Sequence, residues 1–195
     1  MHRVVLMAST AVLCCGHAAA HSPVPGIGHF YNGALHPYTT PAHLIALLAL
    51  GLLLGQRGLK TSSTALVALL FALALGLGLS TPLGHPDTDT ALLALAAATG
   101  LAVVCALALT RWPLVFLAAT LGLLLGLGSG PEALAGGARW GTMFGTLVGA
   151  AFCTAYVAPL VAMVQKPALR IGVRVAGSWL AASALLVLAL ALRTR

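Results

Sequence analysis

The sequence predicts an all-α protein, a polytopic bundle of about six transmembrane helices that follows a cleaved signal peptide. Three observations carry that expectation. Hydrophobic residues make up 60% of the 195 positions. Charged residues make up only 7%, where a soluble domain needs about a quarter to clothe its surface. Long apolar runs alternate with short stretches of turn-forming and charged residues, as spans alternate with loops.

The first segment has the three parts of a secretory signal. A basic start (His2, Arg3) precedes an apolar stretch from Val4 to Cys15 and a small-residue end, Ala18-Ala19-Ala20. The apolar stretch is short for a span, and Leu13 or Cys14 before the cysteines makes a poor lipoprotein site. Cleavage after Ala20 divides the chain into a signal, 1–20, and a transmembrane domain, 21–195, that begins with His21. A terminal histidine offers an amine and an imidazole to one divalent metal, although a signal must end somewhere and His21 is also readable as incidental.

Spans are expected near 41–56, 63–80, 89–109, 113–128, 141–164 and 172–192. With the mature N-terminus outside, the inner loops carry Arg57 and Lys60, then Arg111, then Lys166, Arg170 and Arg174. The outer loops carry Asp87, Asp89, Glu132 and only Arg139, which is the positive-inside pattern. The expected location is a bacterial inner (plasma) membrane with a periplasmic N-terminus. The tail Arg193-Thr194-Arg195 is the one discord.

Glycines spaced by four, Gly122 with Gly126 and Gly141 with Gly145 and Gly149, predict close helix contacts. Trp112 and Trp140 fall at span ends, where indole rings favour the interface, and Trp179 is expected to pack between helices. Cys105 and Cys153 read as small buried hydrophobes. A net charge of +7 does not point to nucleic acid, because the basic residues are scattered and have no interleaved aromatics. No phosphate-cradling loop, nucleophile elbow or His-Glu-x-x-His element occurs, so an enzyme is not expected. The expected partners are the lipid bilayer and a divalent metal ion, with a second copy or a membrane complex left open.

The chemistry lies in the histidines. His21, His29, His36 and His43 crowd into one short stretch, the last three at intervals of seven that return to nearly the same face of a continuous helix. Gly33, Pro37 and Pro41 argue for a broken helix, and broken helices at membrane depth commonly host ion sites. Neutral imidazole suits nickel, copper, zinc and cobalt and does not suit magnesium or calcium. The alternative is interfacial histidines that hydrogen-bond to loops. The segment Gly84-His85-Pro86-Asp87-Thr88-Asp89 is readable as a secondary cation-collecting site or as an ordinary solvated turn.

The run His29-Phe30-Tyr31-Asn32-Gly33-Ala34-Leu35-His36-Pro37-Tyr38-Thr39-Thr40-Pro41-Ala42-His43-Leu44 resembles the opening of the HupE/UreJ family. Members read G-F-x-x-G-x-x-H-P-x-x-G-x-D-H-L-L-A after a signal ending just before a histidine. Phe30, Gly33, His36, Pro37, His43, Leu44 and Ala46 fall in register, and so does His21. The resemblance implies a six-span secondary permease for nickel, with cobalt in some members; the imidazole chemistry leaves copper and zinc open and makes His21, His29, His36 and His43 the expected metal ligands. Three positions depart from the pattern: Ala42 replaces the motif's aspartate, Thr40 its later glycine and His29 its first glycine. A second motif, rich in His and Gly with a terminal Glu, corresponds here to Gly126-Leu127-Gly128-Ser129-Gly130-Pro131-Glu132, with no histidine. Loss of the carboxylate softens the expected site toward copper. It also supports a second expectation, a non-transporting metal-binding or scaffolding accessory protein.

Overall fold

The computed structural model describes residues 26–131 and 134–193; the expected signal, His21 and Glu132 lie outside them. Seven helices follow in chain order: α1 (His29–Thr39), α2 (Pro41–Arg57), α3 (Leu59–Ser80), α4 (Asp89–Val104), α5 (Arg111–Gly128), α6 (Gly136–Ala162) and α7 (Pro167–Arg193). Among the described residues there is no strand.

The all-α class agrees with the sequence, whereas the span count differs. Four helices, α3, α5, α6 and α7, are long and apolar enough to cross a bilayer. A fifth span is obtained if α1 and α2, bent by 74° at one break, are counted as one. The expected span 89–109 is cut short, because α4 has 16 residues and ends at Val104. Its end is closed by Ala106 N–H to the Val103 carbonyl (3.0 Å) and Leu107 N–H to the Ala102 carbonyl (3.0 Å). Ala106 adopts a left-handed φ of 50°, a stop more usual at glycine, so no residue announced it.

Helix α2 is the axis of the bundle. Eleven of its 17 residues are buried, and it touches all six other helices. Leu47, Leu50, Leu53 and Leu54 anchor an aliphatic core completed by Leu69, Leu73, Leu92, Leu93, Leu121 and Leu125. Around it stand three close pairs: α1 with α6, α3 with α5, and α4 with α7.

Lipid tails are as apolar as leucine, so helices in a membrane associate mainly through tight packing, and small residues decide where. The spaced glycines do this here. Gly145 and Gly149 lie against the backbone of Phe30 and Ala34 in α1, and Gly122 and Gly126 lie against Leu69 and Leu73 in α3. Gly100 faces Gly177 and Ala181 between α4 and α7.

Two expectations are corrected at the surface. Trp179 does not pack between helices but is 71% exposed, because α7 meets its neighbours through Gly177, Ala181 and Ala184 and turns the intervening Trp179 outward. Cys105 sits in the turn after α4 and is exposed, whereas Cys153 is buried as expected.

A leucine at Gly145 has no room, since even its Cβ meets the Phe30 carbonyl and lies 2.8 Å from Ala34 N. Gly78 faces open space. Gly145→Leu is expected to lower the unfolding midpoint in detergent by roughly 4–8 °C, and Gly78→Leu to leave it within about 1 °C. Thermal melts of the two purified variants check this.

Candidate metal site

The site begins with a break in the chain. Proline at 41 has no N–H to continue a helix and forces the residue before it out of the helical region. Thr40 accordingly sits at φ −98°, ψ 111°, and α2 restarts with Pro41 in its first turn. In a continuous helix, residues seven apart are separated by about 10 Å of rise. The bend instead folds the last turns of α1 onto the first turn of α2, and the rings of His36 and His43 stand edge to face with centroids 5.2 Å apart.

His43 is fully buried where two further segments meet it. Its Nε2 lies 3.8 Å from Oδ1 of Asp89, the first residue of α4. Its Nδ1 lies 3.4 Å from Ser129 Oγ, just past α5. The Ser129 hydroxyl donates to the Leu125 carbonyl at 2.6 Å. With that proton committed, Ser129 Oγ keeps lone pairs that can accept from His43 in the form that carries a proton on Nδ1. The half-exposed Asp89 carboxylate links the buried imidazole to the surface.

The supporting contacts are local. Asp89 N–H donates to Asp87 Oδ1 at 3.1 Å, a turn in which the aspartate holds the start of α4. Thr88 Oγ1 donates to the Leu124 carbonyl at 2.8 Å and ties that start to α5. Gly128 permits the approach, because a Cβ there would stand 2.6 Å from Thr88 Oγ1 and 3.7 Å from His43 Nε2. Beside the junction a cavity of about 200 Å³ is lined by His85, Asp87, Asp89 and Gly130 among others. The hydroxyl of the hinge residue Thr40 is buried with no hydrogen-bond partner among the described residues.

Of the residues singled out in the sequence, His36 and His43 come together. His29 does not join them: it is exposed at the start of α1, two helical turns and about 10 Å of rise from His36. His21 lies outside the described residues. Asp89 and Ser129 belong to the junction although no local motif marked them. In the sequence Asp89 belongs to the loop readable as a secondary cation-collecting site or a solvated turn, and Ser129 stands in the stretch that lacks the second motif's histidine. Among the described residues, no group of three or more His, Cys, Asp or Glu side chains is already arranged to hold an ion. The cluster consists of two contacts that share His43.

The difference in burial has a chemical readout. Diethyl pyrocarbonate is expected to modify His29 at least about ten times faster than His43 in the folded protein, and the two equally after unfolding. Peptide mass spectrometry over a time course checks this.

Comparison with known families adds one finding. The family described as HupE / UreJ protein matches residues 9–187, which include α1 to α6 and most of α7. No curated protein and no solved structure matches the chain. The bent histidine-bearing helix pair lies inside that match, and the chain belongs to the HupE / UreJ family.

Proposed function

We propose that the chain is a secondary permease for a divalent transition metal, nickel first among the candidates, with His36, His43 and Asp89 as the ligands of its outer binding site. Family membership supports a transport-associated membrane protein that handles nickel or cobalt. The observation that carries the site is the Asp89 carboxylate, 3.8 Å from His43 Nε2. The motif's aspartate is Ala42 in this chain, and the carboxylate beside His43 comes from α4 instead. Two imidazoles with one carboxylate form a borderline donor set, which favours nickel, cobalt or zinc over the softer copper(I). The Ser129 contact supplies the outer hydrogen bond that orients a ligand histidine.

Charge supports the direction of transport. Arg57, Lys60, Arg111, Lys166, Arg170 and Arg174 flank the helix ends remote from His43, while Asp87 and Asp89 flank the near ends. By the positive-inside rule the histidine end faces the periplasm. His21, freed by signal cleavage, then captures metal ahead of the buried pair, and His29 stands exposed at the start of α1.

A non-transporting accessory role is the second reading, and one observation favours it. Between His43 and the basic end, the buried hydroxyls of Thr99, Thr146 and Thr154 all donate to carbonyls of their own helices. The surrounding core is leucine.

Cells expressing the protein are expected to accumulate nickel above control cells, and the His36→Ala/His43→Ala variant to lose that gain. Normal accumulation by the double variant would sink the proposal, and no accumulation by well-expressed wild type would favour the accessory role. In the purified protein, Asp89→Asn is expected to weaken nickel binding roughly 10–100-fold and Ser129→Ala about tenfold or less, measured by calorimetry. N-terminal sequencing of the mature protein is expected to begin at His21.

A further inference from the structure

At the end of the bundle remote from the histidines, the helix termini enclose a cavity of about 340 Å³. Its wall includes Arg57, Arg170 and Arg174, together with Gln56 and Gln165. Two of the arginines are anchored on the end of α4: Arg174 Nε donates to the Val104 carbonyl at 2.6 Å, and Arg57 donates to the Leu107 carbonyl at 3.2 Å. Arg170 Nε reaches the Val164 carbonyl at 3.5 Å. Each guanidinium has five N–H donors, so these bonds leave most of them for other acceptors.

Among the described residues, no carboxylate side chain is placed to neutralise the cluster. The chain has three acidic residues. The two described ones, Asp87 and Asp89, lie at the histidine end. Three cations around one hollow, with no counter-charge among the described residues, call for an external anion with several acceptor oxygens. Gln56 adds a second requirement. Its Nε2 donates to the Val103 carbonyl at 3.1 Å, which fixes the amide orientation. Its Oε1 is buried and has no hydrogen-bond partner among the described residues. The cavity therefore offers guanidinium donors to a phosphate and one amide acceptor to a hydroxyl.

We propose that this cavity binds a phosphate ester bearing a hydroxyl, the chemistry of a phosphatidylglycerol headgroup or of a soluble glycerol phosphate. A basic pocket between helix ends at the membrane interface is the kind of place where anionic headgroups are held. Val161, Val164 and Val173 also line the cavity, which suits a molecule with an apolar tail beside its phosphate.

The test is native mass spectrometry of the full-length protein in neutral detergent, with phosphatidylglycerol or phosphatidylcholine added at equal concentration. The wild type is expected to retain phosphatidylglycerol roughly tenfold better. Arg170→Gln/Arg174→Gln is expected to lose most of that preference, and Arg170→Lys/Arg174→Lys to keep a substantial part of it. Arg57→Gln provides a second route should the double variant fail to fold. Displacement by millimolar glycerol phosphate would support the same chemistry from a soluble source, and resistance to it would support the lipid. A wild type without preference, or folded glutamine variants with full preference, would overturn the proposal.

Discussion

The arrangement of the candidate site depends on the peptide between Thr40 and Pro41. A proline ring there removes one backbone donor and keeps Thr40 out of the helical region, so the α1–α2 segment cannot run straight. A straight helix would hold His36 and His43 about two turns apart, beyond the reach of a shared ion. The 74° bend turns that sequence interval into a ring-to-ring contact. It also drives His43 into the centre of the bundle, where the ends of α4 and α5 reach it.

Such a bend exposes backbone groups, and in a membrane these must be satisfied within the protein. Here Thr40 N–H still reaches the His36 carbonyl and Leu44 N–H the Thr40 carbonyl, so the break leaves the hydrogen-bond ladder nearly whole. The remaining support is steric. Helix α6 runs alongside both halves of the bent pair: Gly145 and Gly149 admit α1, and Val157 and Val161 pack onto Gly51 and Gly55 of α2. One unbroken helix thus braces a broken one, and the tyrosine at 38 fastens them by donating to the Gly149 carbonyl at 2.9 Å.

Charge is segregated as sharply as shape. The end near His43 has the two described carboxylates and the imidazoles with only Arg139 and Arg193, and the remote end has Arg57, Lys60, Arg111, Lys166, Arg170 and Arg174. The short helix α4 spans both, with Asp89 at its first turn, its terminal carbonyls gripped by Gln56 and Arg174, and the turn beyond it by Arg57. Acid at the helix start and cations at its end both complement its dipole. One element thereby links the candidate metal site to the basic cavity.

The helical class, the spaced glycines and the opposed charge were legible in the sequence, because each follows from composition or from a period along one chain segment. The histidine run was legible too, since Pro41 marks its break and His36 and His43 flank it. Other features were not. Nothing near Val104 announces the early stop of α4, because its turn places an alanine where glycine is usual. Trp179 was misplaced because depth along a helix says nothing about which face meets a neighbour. Asp89 and Ser129 are separated from His43 by 46 and 86 positions and join it only when α4 and α5 pack on α2. The sequence by itself determined that a kinked, histidine-bearing helix sits in a glycine-rich membrane bundle, since backbone chemistry and hydrophobic period act locally. Only the tertiary structure decided which carboxylate and which hydroxyl meet His43, because contacts between helices depend on packing that no single segment encodes.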